Sequence, residues 1–270
     1  MTTQTNSNSI RIGVQLWPGG VADYRTWRDA VLRAEELGVD VIFGYDHFHR
    51  PTAEIVDGGP RLLPDQPAVN NFEGWTALAS WGEITTRTEI GLLVTGIGYR
   101  NPDLLADMAR TVDGRLILGL GSGWYEKDYH DYGYEYGSVA SRMDLFEAGL
   151  ARIEQRLDRL VPAPLRHIPI LIGGAGERRT MPLVARHADI WHSFLDIESF
   201  RKKSQLLEQL ADGVDRDHRK IDRAVQWTGA DEAGEYVAEG VTLFTAVIRP
   251  DTNGYEFTEV ESMLAWRRAQ

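Results

Sequence analysis

Two hydrophobic patterns alternate along the chain from residue 10 to its end. Short apolar runs predict strands, and apolar positions at helical spacing predict the helices between them. We predict strands at 10–16, 39–44, 90–94, 115–121, 168–174, 189–194, 224–227 and 241–248. The first helix has capping residues at both predicted ends: Asp23 is the N-cap, and Gly38 ends the helix.

Further helices follow the later strands. We predict helices at roughly 72–86 and about 138–160, one that begins at Pro102 after the Asn101 cap, and one that ends at about His187. A last helix follows a Thr258–Glu261 capping box. Eight strand–helix units without a linker predict one α/β domain over residues 10–270, a (β/α)8 TIM-type barrel. A doubly wound sheet remains an alternative, because strand count alone does not separate the two folds.

Composition narrows the class of partner. The chain has 29 basic and 40 acidic residues and a net charge of −11, which argues against nucleic-acid and anionic-membrane surfaces. It has no cysteine, which excludes disulfides and thiolate nucleophiles. Residues 1–9 are polar and predict a disordered tail rather than a signal peptide, and no apolar run approaches a membrane span. We therefore expect a cytoplasmic protein.

Candidate functional residues follow the predicted strands. In a barrel, binding and catalytic groups lie on the loops after the strand C-termini. Those positions hold Trp17, Asp46, His47, the run Gly121–Ser122–Gly123–Trp124, the run Gly173–Gly174–Ala175–Gly176, Trp191 and His192. Glycines, aromatic residues and histidines on one face predict a site for a wide, planar ligand.

Each of these features also has a simpler interpretation. The glycine runs fit tight turns, although IGGAG before a helix also fits phosphate binding, with Arg178 and Arg179 adding charge. Each tryptophan, taken alone, fits a core position. The tyrosine-rich segment 126–137 fits a lid or a helix start with solvated acids. His47 and His49 lack a supporting cluster of ligands, so we predict no metal site.

Five motifs in order resemble one family. They are IGVQLW (12–17), DHFH (46–49), VTGIGYRNPDLLADMARTVD (94–113), LILGLGSGWYEKDYHDYGY (116–134) and ILIGGAGERRTMPLVARHADIW (170–191). Together they resemble the bacterial luciferase-like monooxygenase superfamily, and within it the oxidoreductases that depend on the deazaflavin coenzyme F420. The resemblance spans almost the whole chain and implies a TIM-type barrel with the flavin-type ring in its mouth.

The resemblance also implies roles for residues. Asp46 and His47 would lie beside the ring, with His47 exchanging a proton and Asp46 orienting the imidazole or the ring. A non-prolyl cis peptide at about Leu93–Val94 would support the ring from behind. The cofactor would further contact Gly121, Ser122 and Gly123, and its phosphate side would meet Gly173, Gly174, Ala175 and Gly176. Trp17, Trp124 and Trp191 would wall the substrate pocket.

The chain departs from the sugar-phosphate dehydrogenase branch at two positions. Pro51 stands where that branch has a tryptophan, and Trp124 where it has a catalytic glutamate. We therefore do not predict sugar-phosphate oxidation for this chain. The connections TVDGRLILG and RLDRLVPAPLRHIPI are also shorter than in relatives, which we interpret as leaving the rim poorly defined.

The leading hypothesis is F420-dependent hydride transfer to or from a small organic substrate. The alternatives are an FMN-dependent monooxygenase and a non-catalytic flavin or deazaflavin carrier, which the shortened loops motivate. A phosphate-binding lyase or isomerase barrel is weaker, because no Schiff-base lysine or paired carboxylates stand at strand ends. Family analogy suggests a homodimer.

Overall fold

The computed structural model describes residues 10–56, 59–63, 68–112 and 114–270. The predicted tail at 1–9 lies outside these residues. The strands are β1 (Arg11–Leu16), β2 (Val41–Gly44), β3 (Ala53–Val56), β4 (Gly59–Leu62), β5 (Glu89–Leu92), β6 (Thr95–Gly96), β7 (Leu116–Gly121), β8 (Ile170–Gly173), β9 (Ile190–Ser193), β10 (Asp222–Gln226) and β11 (Val241–Ile248).

Helices occupy most of the chain between the strands. They are α1 (Tyr24–Leu37), α2 (Gly74–Ile84), α3 (Pro102–Val112), α4 (Glu126–Tyr132), α5 (Val139–Leu157), α6 (Thr180–His187), α7 (Ile197–Asp212), α8 (Ala230–Ala238) and α9 (Thr258–Arg268). In the described part of the chain, none of them is both long and apolar enough to span a bilayer.

The strands close into a barrel. The parallel order β5-β2-β1-β11-β10-β9-β8-β7 is completed by pairing of β5 with β7, and β6 continues the β5 line against β7. The predicted (β/α)8 barrel is therefore confirmed, and the doubly wound sheet is excluded because the sheet has no open edge. The hairpin β3–β4 is a separate antiparallel pair after β2.

Local sequence signals explain several helix ends. The side chain of Asp23 accepts a hydrogen bond from Thr26 N at 2.9 Å, and Gly38 ends α1 with φ of 91°. The side chain of Asn101 accepts a hydrogen bond from Asp103 N at 2.9 Å, in the first turn of α3. These predicted caps are confirmed.

The predicted capping box at the last helix is wrong. Phe257 occupies the N-cap position of α9, and its own side chain makes no capping hydrogen bond. Thr258 is already helical, and its hydroxyl donates to Glu256 at 2.6 Å instead of reaching Glu261. The preceding acidic residue competes successfully for the hydroxyl that the motif would have used.

The barrel interior is filled at its base and middle. Arg11 pairs with Glu89 at 2.8 Å and with Asp222 at 3.1 Å, and these charges close the N-terminal end. Above them lies an inner apolar layer made of Val41, Phe43, Leu93, Ile117, Leu171, Ile190, Ala224 and Leu243. Since this interior is packed, a ligand is accommodated only at the C-terminal mouth.

The two shortened connections lie away from that mouth. They join α3 to β7 and α5 to β8, so they run at the N-terminal end of the strands. Loops at that end contribute to stability rather than to ligand contact. The interpretation that they leave the substrate rim poorly defined is therefore wrong.

Candidate active site

The floor of the mouth is formed by Val94. The peptide bond between Leu93 and Val94 is cis, at the position that the resemblance implied. A Cβ added to Gly121 would lie 2.8 Å from the Val94 side chain, and one added to Gly173 would lie 3.3 Å from it. The glycines that end β7 and β8 thus make room for Val94 at the barrel axis.

Gln15 holds this floor in place. Its side-chain amide donates to Leu93 O at 2.6 Å and to Gly44 O at 3.3 Å, and its oxygen accepts from Trp17 Nε1 at 3.0 Å. Gln15 is 6% exposed, so these bonds are shielded from water. The sequence interpretation missed Gln15, although a glutamine in an otherwise apolar strand was a visible signal.

His47 is held by a carboxylate from another loop. Its Nδ1 lies 2.7 Å from Asp128 Oδ2, and Asp128 belongs to α4, 81 residues further along the chain. An ionised carboxylate only accepts, so Nδ1 carries a proton and Nε2 is left for other partners. Among the described residues no group bonds to Nε2. Asp128 rather than Asp46 therefore orients the imidazole.

Asp128 is the hub of the 47–49 loop. Its side chain is fully buried and also accepts from Tyr99 Oη, Phe48 N, His49 N and His49 Nδ1 at 2.9–3.2 Å. Burial alone raises the pKa of this carboxyl, but hydrogen bonds from His47, His49 and Tyr99 outweigh it and leave the pKa below its usual range. The prediction that the acids of 126–137 are solvated is wrong for Asp128.

An aromatic wall runs along one side of the mouth. The ring of Trp17 meets that of Tyr45 at 5.1 Å between centroids, and Tyr45 meets His47 at 5.6 Å. Trp124 also meets His47, at 5.2 Å. All three contacts are edge-to-face, so Tyr45 and Trp124 contact the imidazole directly and Trp17 packs on Tyr45.

The third predicted wall residue, Trp191, lies elsewhere. Its side chain is fully buried and stacks on Phe200 of α7 at 5.3 Å, on the helical side of the barrel. Side chains alternate along a strand, so the inward position of Ile190 sends Trp191 outward. The prediction that Trp191 walls the substrate pocket is therefore wrong. Trp191 supports the glycine loop instead, since its Nε1 donates to Gly174 O at 2.7 Å.

The glycine loop after β8 is shaped by backbone requirements. Gly174 has φ of 113°, which excludes most side chains there. The loop leads into α6, whose first residue is Thr180. Arg179 does not add free charge to this loop, because it pairs with Asp144 of α5 at 2.6 Å. Gly173, Gly174, Ala175 and Gly176 therefore offer backbone groups, and of the two predicted arginines Arg178 forms no ion pair in the described part of the chain.

The loop after β7 is anchored from α5. Arg142 Nε donates to Gly123 O at 3.1 Å, and its guanidinium lies 3.9 Å from the centre of the Tyr136 ring. Gly123 has φ of 79°, and a side chain there would collide with the Tyr129 hydroxyl. Ser122 stands at the start of this fixed loop and is partly exposed.

Asp46 lies in a buried ion pair. It is 2% exposed, and its Oδ2 accepts from Arg100 at 2.6 Å, while Arg100 also binds Glu73 at 2.6 Å. Its Oδ1 is buried without a partner among the described residues. Burial raises the pKa of Asp46 to about 7, although the positive charge of Arg100 opposes this.

This raised pKa predicts a pH effect on stability. Between pH 3.8 and about 7 the folded protein holds a proton on Asp46 that the unfolded chain has lost. The Asp46 contribution to stability therefore falls as the pH rises through this window. We expect Asp46→Asn to remove the part of the pH dependence of the unfolding free energy that comes from Asp46, measured by denaturant titrations at several pH values. Identical pH slopes in both proteins would contradict the assignment.

The other histidines are paired within the fold. His192 Nε2 contacts Thr245 Oγ1 at 2.8 Å inside the barrel, and burial lowers the pKa of His192 to about 3. His187 contacts Glu154 at 2.9 Å. Across the described ranges, no three side chains of metal-binding type are grouped to hold an ion.

The family is decided by a match over most of the chain. The profile described as luciferase-like monooxygenase matches residues 7–230. The chain belongs to the luciferase-like monooxygenase family. The matched residues include strands β1 to β10 and the cis bond at Leu93–Val94.

Individual relatives show more distant similarity. An uncharacterised protein of Mycobacterium tuberculosis is 25% identical over 179 residues, or 58% of this chain. The match spans 64% of that relative, so the chain covers less than two thirds of its length.

Several solved structures share the fold. An F420-dependent secondary alcohol dehydrogenase, in complex with an F420-acetone adduct, superposes with a TM-score of 0.73 at 17% identity, over 91% of this chain and 95% of the other. A type II Baeyer–Villiger monooxygenase from Pseudomonas putida, in complex with FMN, gives 0.59 at 16% identity, over 86% and 72%. The barrel is thus found with both F420 and FMN.

Proposed function

We propose that the protein is an oxidoreductase that uses coenzyme F420 to transfer a hydride to or from a small organic substrate. The observation that carries this proposal is His47, fixed through Nδ1 by the buried Asp128 with Nε2 free beside the mouth. Interconversion of a carbonyl and an alcohol needs one proton for each hydride. A single oriented imidazole meets that need.

The residues of the mouth fit such a coenzyme. Val94 provides a floor at the barrel axis, and the inward glycines at 121 and 173 add no side chains beside it. The backbone of the loop 173–176 and the start of α6 suit a phosphate. The unpaired Oδ1 of Asp46 is an acceptor or, when protonated, a donor for a polar group.

Bound F420 would supply a two-electron hydride carrier. The chain itself would orient the reactants and move the proton. His47 exchanges the proton through Nε2, and Asp128 keeps the imidazole in the tautomer that leaves Nε2 available. Tyr45 and Trp124, which contact the imidazole, exclude water from it, and Trp17 packs on Tyr45. A homodimer and a cytoplasmic location stay predictions that accompany this function.

Turnover with defined reactants tests the proposal. Reduced F420 is mixed with the protein and a panel of small ketones and aldehydes, and reoxidation is followed by absorbance. We expect at least one carbonyl compound to accelerate reoxidation, and His47→Gln to lower that rate by about 100-fold or more. Substrate oxidation that requires oxygen and reduced FMN would instead favour the alternative of an FMN-dependent monooxygenase. The similarity to a structure in complex with FMN supports testing that alternative.

A further inference from the structure

Two arginines at the rim of the mouth lack carboxylate partners. Arg249 follows β11, and Arg50 ends the loop after β2. Neither forms an ion pair within the ranges 10–56, 59–63, 68–112 and 114–270. This is unexpected in a chain with 40 acidic and 29 basic residues. Like charges without counterions at a binding cleft are the usual basis of an anion site.

Both guanidinium groups are held in place by the wall of the mouth. Arg249 lies over the ring of Trp17, 4.4 Å from its centre. Arg50 packs on the loop after β1, where a Cβ on Gly20 would lie 3.0 Å from its Nη1. Both arginines thus lie beside the β1 end, where Arg249 is exposed to solvent and Arg50 is partly exposed.

The two charges also affect one another. Burial against the protein lowers the pKa of Arg249, and the positive charge of Arg50 lowers it further. An oxyanion between the two groups would relieve this repulsion. Arginine also presents a planar fork of N–H donors that matches carboxylate and phosphate oxygens in pairs.

The pair lies on the same wall as His47. A Cβ on Gly19 would meet Tyr45 Oη at 2.8 Å and Arg50 Cβ at 2.9 Å, so Arg50 adjoins Tyr45. The Tyr45 ring in turn contacts both Trp17 and His47. One aromatic ring, that of Tyr45, therefore lies between the imidazole and Arg50, and two rings, those of Tyr45 and Trp17, lie between the imidazole and Arg249, which is the scale of a small, elongated substrate.

The pair lies opposite the glycine loop. Around the barrel, β8 is four strands from β1 in either direction, through β2, β5 and β7 or through β11, β10 and β9. A phosphate held by residues 173–176 would therefore not reach Arg50 or Arg249 at the same time. The arginines are left for a second anion.

We propose that Arg50 and Arg249 bind an oxyanion group, a carboxylate or a phosphate, at the end of the substrate remote from the reacting carbon. The proposal rests on the proposed function for the identity of the reacting centre, but the anion site itself does not depend on it. The substrate class is then a small carbonyl compound or alcohol that carries one negatively charged end.

Anion binding by the coenzyme-free protein is the first test. Inorganic phosphate and acetate are titrated by calorimetry into the wild type, the double variant Arg50→Gln/Arg249→Gln and the control Arg268→Gln, which removes one exposed charge on α9. We expect binding to wild type and control, with affinity reduced about 10-fold or more in the double variant. Equal binding to all three proteins, or none to the wild type, would overturn the proposal. Thermal unfolding of each variant verifies folding.

Substrate preference is the second test. With reduced F420, 4-oxopentanoate, an oxoalkyl phosphate of similar length and uncharged 2-pentanone are compared as acceptors. We expect a lower KM for a charged ketone than for 2-pentanone, and we expect this difference in KM to disappear in the double variant. The charged ketone with the lower KM identifies whether the site prefers a carboxylate or a phosphate. Phosphate that competes with F420, together with weaker F420 binding by the double variant, would assign the arginines to the coenzyme instead. If F420 does not bind at all, the proposed function fails while the anion titration still decides this site.

Discussion

Replacing Asp128 with Asn is expected to lower turnover at the proposed site by about 100-fold and to destabilise the fold. The carboxylate accepts hydrogen bonds from His47, His49, Tyr99 and the loop backbone. An amide turns one acceptor oxygen into a donor, so some of these buried donors lose their partners. Each buried group left unpaired costs about 1–3 kcal/mol. Turnover also falls because His47 is no longer held in one tautomer.

The two effects of this change are separable. The rate is measured at substrate saturation across pH, and stability by denaturant titration. Because the pKa of Asp128 is lowered, its contribution to stability is present above the usual carboxyl range and lost as the pH falls below the lowered pKa. Asp131→Asn is the matched control, since Asp131 is exposed and its carboxylate pairs with His49 and Lys127 at the surface. Unchanged turnover in Asp128→Asn would contradict the assigned role.

Replacing Gln15 with Leu is expected to reduce the free energy of unfolding by about 3 kcal/mol. The change leaves the buried carbonyl of Leu93 and the indole N–H of Trp17 without their partner, while Gly44 O keeps the hydrogen bond from Leu93 N at 3.0 Å. Such losses cost about 1–3 kcal/mol each, and the apolar leucine recovers a part. The floor at Val94 also loses its support, so coenzyme affinity falls as well.

A second glutamine provides the control for this prediction. Gln226 ends β10 near the same mouth, and no side-chain hydrogen bond is formed by it in the part of the chain that the structure describes. Gln226→Leu is therefore expected to change the free energy of unfolding by less than about 1 kcal/mol. Equal destabilisation by the two variants would show that polarity at the mouth, not the Gln15 bonds, determines the cost.

Periodicity predicted the barrel because the signals are local. The strand β11 covers the predicted 241–248, and α1 ends at Gly38, since alternation and capping depend on neighbouring residues. The site depends on contacts between distant segments. Asp128 stands in a charged stretch that resembles a solvated helix, and only the packing of α4 on the 47–49 loop buries it. No feature within residues 126–137 distinguishes it from Asp131.

Strand register explains the error at Trp191. A tryptophan beside predicted strand ends suggested a pocket wall, but one residue of register decides whether a side chain faces the barrel axis or the helices. Ile190 faces inward, so Trp191 faces α7. The cis bond at Leu93–Val94 was reached only through the family resemblance, and periodicity would have continued that strand without a break.

Coenzyme binding tests the central claim most directly. Purified protein is titrated with F420 and separately with FMN, and quenching of tryptophan fluorescence is followed, because Trp17 and Trp124 flank the mouth. We expect saturable F420 binding that is weakened in Gln15→Leu, and much weaker binding of FMN. Tight FMN binding with no response to F420 would contradict it.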